Sequence, residues 1–326
     1  MTSKVSDEEL NEIYQYAIAL SKTAGRAIVD GSGKRFSSSA GSEFKKNSAD
    51  LVTETDEAVE KLVRGSISSR FPRHTFIGEE SWAAGEEGRI EKQGVVWIVD
   101  PIDGTTNFVH GFPYTCISIG VVVDGEAKVG VVYAPFMDTL YHGCKGKGSF
   151  LSSPHHPAPR RLPLVENAIP LTDLNQALVA FEWGTDRREA ILQQKLNSFK
   201  KITGDPNGGV EGAKMVRGVR SIGSAALNFC HVASGNLDLY WEIGCWAWDV
   251  CAGVVIAQEA GGAVVGSKAH AEQVIQGENF NQVTPELLTG RKYVVVRKIM
   301  GEEKENREAQ KKILGDFYGC IYEWDP

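Results

Sequence analysis

The run Val95-Val96-Trp97-Ile98-Val99 is apolar at every position. It stops abruptly at Asp100-Pro101-Ile102-Asp103-Gly104-Thr105-Thr106-Asn107-Phe108. No other stretch constrains the fold as tightly. Five consecutive apolar residues, most of them β-branched, read as a buried strand. Pro101, with no amide proton to offer a ladder, is expected to end it. The strand thus delivers Asp100 to its C-terminal end. Gly104 permits close backbone approach, and a short helix starting near Thr105 would aim free N–H groups outward. Two carboxylates beside an anion-seeking helix start repel each other and any phosphate, unless cations bridge them. Taken alone, the Asp-Pro-x-Asp-Gly string is also an ordinary turn with a helix cap.

At 326 residues the chain has ample length to bury a core. A net charge of -7 argues against nonspecific nucleic-acid binding and against an anionic membrane surface. An anionic substrate must then be attracted locally, by metal or a few basic groups. The six cysteines (Cys116, Cys144, Cys230, Cys245, Cys251, Cys320) include no Cys-x-x-Cys pair and read as reduced and structural. The N-terminus does not read as a signal peptide, and no apolar run approaches the ~20 residues that span a bilayer. The expectation is a soluble cytoplasmic protein.

Along the chain, Ser6 and Glu9 have the spacing of a capping box opening a helix toward Ile28. Gly31 to Asn47 reads as a loop or loose hairpin. A short strand at 49–56 breaks into a helix with the stripe Val59, Leu62, Val63, Ile67. His74 to Ser81 reads as a brief strand leading into an acidic turn. Apolar runs at 114–123, 127–134 and 139–142 suggest an antiparallel meander, with Asp124-Gly125 as a hairpin turn. Gly143 to Pro163, rich in Gly, Ser, Pro and basic residues, reads as a seam, with His155-His156 in solvent. Strand 177–181 and helix 186–199 follow, then a Gly-rich insertion at 204–212. A strand end followed by a helix at 220–233, strand 237–241, an apolar helix 249–260 stopped by Gly261-Gly262, strand 293–296 and a polar helix 302–314 anchored by Ile313 and Leu314 complete the reading. The alternation suggests stacked helix and sheet layers.

Hard cations such as Mg²⁺ take oxygen ligands, usually a few carboxylates, with water and phosphate oxygens in the remaining positions. Four acids stand at strand ends or helix starts: Glu79, Asp100, Asp103 and Asp249. Singly, Glu79 is a turn acid and Asp249 a helix cap. Together they form a hard-cation site if the fold gathers them.

Asp100 to Phe108 resembles the metal-binding signature of the inositol monophosphatase family, within the lithium-sensitive phosphatase superfamily. The other blocks occur in family order: Leu51-Val52-Thr53-Glu54-Thr55-Asp56, Gly78-Glu79-Glu80-Ser81 and Trp248-Asp249-Val250-Cys251-Ala252-Gly253. The resemblance runs from about Tyr14 to Lys298, with a fungal-type member as one reading of it. It implies an α/β (α+β) fold, a layered αβαβα sandwich with mainly antiparallel sheets. Two lobes would form one catalytic unit, 1–150 with most metal ligands and 151–326 with Asp249 and the substrate pocket.

By that resemblance, Glu79, Asp100, the Ile102 carbonyl, Asp103 and Asp249 hold two or three Mg²⁺ ions, with Mn²⁺ a substitute and Li⁺ inhibitory. Glu79, Thr105 and Asp56 are catalytic, Thr105 and Asp56 orienting a metal-activated water. Gly104, Thr105 and Thr106 hold the phosphate. Gly223, Ser224, Ala225, Glu242 and Asp249 contact the polyol. Lys45, or equally Lys46, resembles the basic residue that reaches toward the phosphate. The implied reaction is hydrolysis of a small phosphorylated polyol, foremost myo-inositol monophosphate, by a homodimer. Rival readings are another sugar phosphatase, a bisphosphate nucleotidase, or a catalytically silent regulatory relative. Two departures bear on substrate: the segments 152–161 and 203–214 look longer than usual, and Ala247 replaces an expected cysteine or polar residue.

Overall fold

A computed structural model describes residues 5–33, 42–44, 51–86, 88–165, 169–277 and 279–326. In chain order the elements are α1 (Asp7–Ser32), β1 (Ser42–Phe44), β2 (Leu51–Thr53), α2 (Glu54–Arg70), β3 (Thr75–Gly78), α3 (Glu79–Ala83), β4 (Val95–Asp103) and α4 (Thr105–His110). Strands β5 (Cys116–Val123), β6 (Glu126–Ala134), β7 (Thr139–Cys144), β8 (Gly148–Ser153), β9 (His156–Arg161) and β10 (Leu178–Phe181) follow. Then come α5 (Glu189–Thr203), β11 (Gly218–Arg220), α6 (Ala225–Ser234), β12 (Leu239–Ile243) and α7 (Ala247–Glu259). The chain closes with β13 (Ala263–Val265), α8 (Lys268–Gln276), α9 (Pro285–Leu288), β14 (Lys292–Val296) and α10 (Glu303–Tyr318).

Side-chain alternation builds five layers. In β4, Val95, Trp97 and Val99 pack with Ile13, Ala17, Val59 and Val63 of α1 and α2, whereas Val96 and Ile98 pack toward α6 and α7. In β14, Tyr293 and Val295 join that same inner cluster, whereas Val294 and Val296 meet Ile313, Leu314 and Phe317 of α10. The order is helix, seven-stranded sheet β3-β4-β5-β6-β7-β8-β9, helix, five-stranded sheet β11-β10-β12-β14-β13, helix. Among the described residues only β3–β4, β10–β11 and β10–β12 pair in parallel, so the layered α/β sandwich stands, its large sheet mainly antiparallel and its smaller sheet evenly mixed.

Helix α7 lies in the middle layer, which is why it is apolar nearly all round. It approaches the sheet so closely that a Cβ on Gly130 would lie 2.2 Å from the Ala252 carbonyl oxygen.

Three readings need correction. Pro101 does not end β4: after pairing Asp100 with Ser118, the ladder bulges through Pro101 and resumes at Asp103 opposite Cys116. A bulge leaves a residue unpaired, so a missing N–H costs nothing there. The acidic turn at Glu79-Glu80 is the first turn of α3. The apparent seam is the hairpin of β8 and β9, which completes the large sheet. Strand β9 is exposed throughout and carries Pro157 and Pro159, which an edge strand tolerates because its outer N–H groups face no partner.

The hairpin at Asp124-Gly125 forms with both residues at positive φ, as that sequence favours. All six cysteines are buried and free. Among the described residues no helix is long and apolar enough to cross a membrane.

Candidate metal centre

Strand β4 carries Asp100 and Asp103 on either side of its bulge, and α7 carries Asp249 in its first turn. One carboxylate oxygen from each lies within 4.8 Å of the others. Each acid is held by its own neighbours. Asp100 Oδ1 accepts the Ile102 N–H at 2.9 Å, and Asp249 Oδ2 accepts the Trp246 N–H at 2.6 Å. Asp103 Oδ2 accepts the Ser224 hydroxyl at 2.6 Å and the Ala226 N–H at 2.8 Å, which ties β4 to the start of α6. The Ser118 hydroxyl donates to the Trp248 carbonyl at 3.0 Å and fixes the start of α7 on β5.

Burial is the largest force on these acids, and their mutual repulsion adds to it. The Asp100 and Asp249 carboxyls are pushed well above the usual carboxylate range. Asp103 rises to about 6, restrained by Ser224 and the α6 amides. Glu79, partly exposed at the start of α3, lies outside the tight trio. Its charge nevertheless raises Asp56, Asp100, Asp103 and Asp249, so it lies near the same acids. No described Lys or Arg forms an ion pair with the trio. An all-oxygen donor set, largely buried and mutually repelling, with no ion-paired Lys or Arg among the described residues, fits a hard divalent cation.

Beside the trio, Gly104 takes φ 88°, and its missing Cβ would meet the Tyr114 carbonyl oxygen at 2.9 Å and that of Gly223 at 3.0 Å. A side chain there would push the turn apart. The Thr105 hydroxyl lies 3.2 Å from Asp56 Oδ1 and 3.1 Å from the Ile102 carbonyl, two acceptors competing for one proton. Asp56 is itself braced by the Thr53 N–H at 3.0 Å and by the Thr53 hydroxyl. Burial lifts Asp56 to about 6. Thr106 is exposed.

Glu242, near the end of β12, is lifted to about 8, by burial first and then by the charge of Glu182; the Tyr240 hydroxyl donates to it. Gly223 and Ala225 flank Ser224, whose hydroxyl is engaged by Asp103. Lys45 and Lys46 lie outside the described residues.

Two residues escaped the sequence reading. Buried Glu182 accepts the Ser221 hydroxyl at 2.7 Å, the Ile222 N–H at 2.7 Å, the Gly223 N–H at 3.0 Å and the Asn228 amide at 2.9 Å. From the other side Asn107 Nδ2 donates to the Tyr114 and Ile222 carbonyls at 2.8 and 2.7 Å. The turn at 221–224 is therefore gripped between α4 and β10. An acid directly after an apolar strand, the signal that marked Asp100, also marks Glu182.

The sequence matches the inositol monophosphatase family model over residues 9–318. It is 36% identical to the quinic acid degradation cluster protein x of Neurospora crassa, across 98% of this chain and 96% of that protein. It is 42% identical to inositol monophosphatase 2 of Saccharomyces cerevisiae, across 72% of this chain and 77% of the relative. Among solved structures, SuhB of Mycobacterium tuberculosis superposes with a TM-score of 0.66 at 27% identity, covering 96% of this chain and all of that one.

Proposed function

The chain belongs to the inositol monophosphatase family, a family of metal-dependent phosphatases, and from that premise we propose that it hydrolyses a small polyol phosphomonoester, foremost myo-inositol monophosphate. The observation that carries the proposal is the trio of buried Asp100 and Asp103 with half-buried Asp249, directly beside the Gly104 turn.

Asp100, Asp103 and Asp249, with Glu79 and the Ile102 carbonyl, would hold two or three Mg²⁺ ions; Mn²⁺ would substitute and Li⁺ would inhibit. When bound, such ions lower the pKa of water and neutralise charge developing on a phosphoryl group. The chain's own residues do the rest. With its proton engaged by Asp56 or Ile102, the Thr105 hydroxyl presents a lone pair that orients the attacking water and accepts a proton from it. As it does so, Thr105 passes its own hydroxyl proton to the Asp56 carboxylate, which Thr53 holds in place. Backbone N–H groups of Gly104, Thr105 and Thr106 hold phosphate oxygens. Glu242 and the backbone at Gly223 and Ala225 meet the polyol hydroxyls, while Ser224 acts through Asp103. A homodimer in the cytoplasm belongs to the same proposal.

A second reading has one supporting observation. A relative matched along 98% of the chain bears a name from quinic acid degradation, whereas the yeast inositol monophosphatase matches 72% of it. A different cyclic polyol phosphate, or a regulatory role without turnover, would suit that match. Phosphate release from a panel of small phosphomonoesters, with Mg²⁺ supplied and withheld, separates the readings. Mg²⁺-dependent release fastest on inositol 1-phosphate supports the first. No release from any substrate overturns it.

A further inference from the structure

Helix α3 carries Glu79, yet it is only five residues long and buries none of them. A helix this short has no stability of its own, so its contacts decide where Glu79 points. On one side Glu60 of α2 accepts the Glu80 and Ser81 N–H groups, each at 2.7 Å. On the other side Trp82, three residues past Glu79, reaches across to the C-terminal half of the chain. Its ring centroid lies 5.9 Å from that of Trp246 and 6.0 Å from that of Trp248. Those two indoles stack on each other at 5.3 Å, with planes 17° apart.

The far jaw of this contact is fixed. The Arg291 guanidinium sits 3.9 Å over the Trp246 ring, and its Nη2 donates to the Gly244 carbonyl at 2.7 Å. Gly244 N–H returns a bond to the Arg291 carbonyl at 2.8 Å. Trp246 is also the N-cap of α7 and donates its backbone N–H to Asp249.

We propose that Trp82 and Trp246 are positioning residues, an aromatic clasp that docks α3 on the start of α7 and so sets Glu79 over the carboxylate trio. The clasp rests on reading that trio as a cation site. It joins the two halves of the chain at the point where Glu79 and Asp249 must converge. Tilted and stacked indoles suit this work because ring contacts of this kind hold geometry as well as area.

The test is Mn²⁺ binding by calorimetry on substrate-free protein, for wild type, Trp82→Ala, Glu79→Gln and the double variant. Trp82 is 37% exposed, so its truncation should leave the core intact, which circular dichroism checks. Loss of a group that orients a ligand weakens metal binding by roughly tenfold or more. Trp82→Ala is expected to bind Mn²⁺ about tenfold more weakly, and Trp82→Phe to recover most of that loss. Because Trp82 acts through Glu79, the double variant should bind no more weakly than Glu79→Gln alone. Wild-type binding in Trp82→Ala, or losses that multiply in the double variant, would overturn the clasp. Since the cycle needs no substrate, a protein inert toward every phosphomonoester would still report on it. A wild type that binds no Mn²⁺ would overturn the clasp and the cation site together.

Discussion

Replacing Asp100 by Asn should make the metal-free protein more stable while it abolishes turnover. The trio holds three carboxylate oxygens within 4.8 Å of one another. At an effective dielectric of ~20, two unit charges at that separation repel by about 3.5 kcal/mol. Protonation caps the penalty: holding a normal carboxyl neutral at pH 7 costs about 4 kcal/mol, a similar amount. Asn keeps the oxygen that accepts the Ile102 N–H and gives Asp249 an amide donor in place of a competing acid. Allowing for a poorer fit, relief of about 1–3 kcal/mol is expected, a Tm rise of roughly 1.5–4.5 °C in chelator for a chain of this length. Mg²⁺ reverses the order, because ligand that binds only the native state stabilises it by about 4.1 kcal/mol at a thousandfold excess over Kd. Thermal unfolding of both proteins, with chelator and then with millimolar Mg²⁺, is the assay. The reasoning fails if Asp100→Asn melts lower than wild type in chelator, or if Mg²⁺ raises both melting temperatures equally.

Ser224→Ala removes a charge-assisted bond to Asp103 but leaves the Ala226 N–H; a loss of about 1.5–3 kcal/mol of stability, seen in urea melts, is expected. The Glu242 carboxyl, lifted from 4.5 to about 8, keeps a proton in the native state that the unfolded chain releases. Its contribution to stability is therefore present at acid pH and lost as pH rises toward 8. Glu242→Gln should flatten Tm against pH over that window and remove any change in KM near pH 8. Gly130→Ala drives a methyl into the Ala252 carbonyl and should destabilise by at least about 1–3 kcal/mol, read from chemical denaturation. Glu182→Ala frees four donors around the 221–224 turn, and should lower kcat and stability together; Glu182→Gln, keeping one acceptor, should fall between.

Local chemistry made much of this legible. The apolar run before Asp100 and the apolar helix after Asp249 are both signals of burial, and burial on two faces forced the sandwich. The acids stood out because each ends a strand or starts a helix. What stayed hidden depended on partners distant in sequence. Pro101 reads as a stop until the bulge opposite Ser118 and Cys116 is seen. Pro157 and Pro159 read as loop because nothing local says that β9 lies at an edge. The polar helix α10 runs four residues past the reading, to Tyr318, because Phe317 and Tyr318 are buried in the same core cluster as Ile313 and Leu314. Strand β13 and helices α8 and α9 were too short for periodicity to reveal. Glu182 carried the same mark as Asp100 but lay outside the family blocks that directed attention to the acids.

Anomalous diffraction from crystals soaked in Mn²⁺ addresses the cation site most directly. Density between the carboxylates of Asp100, Asp103 and Asp249 is the expected result, lost in Asp100→Asn. A soaked crystal with those three acids ordered and no anomalous peak among them would contradict it.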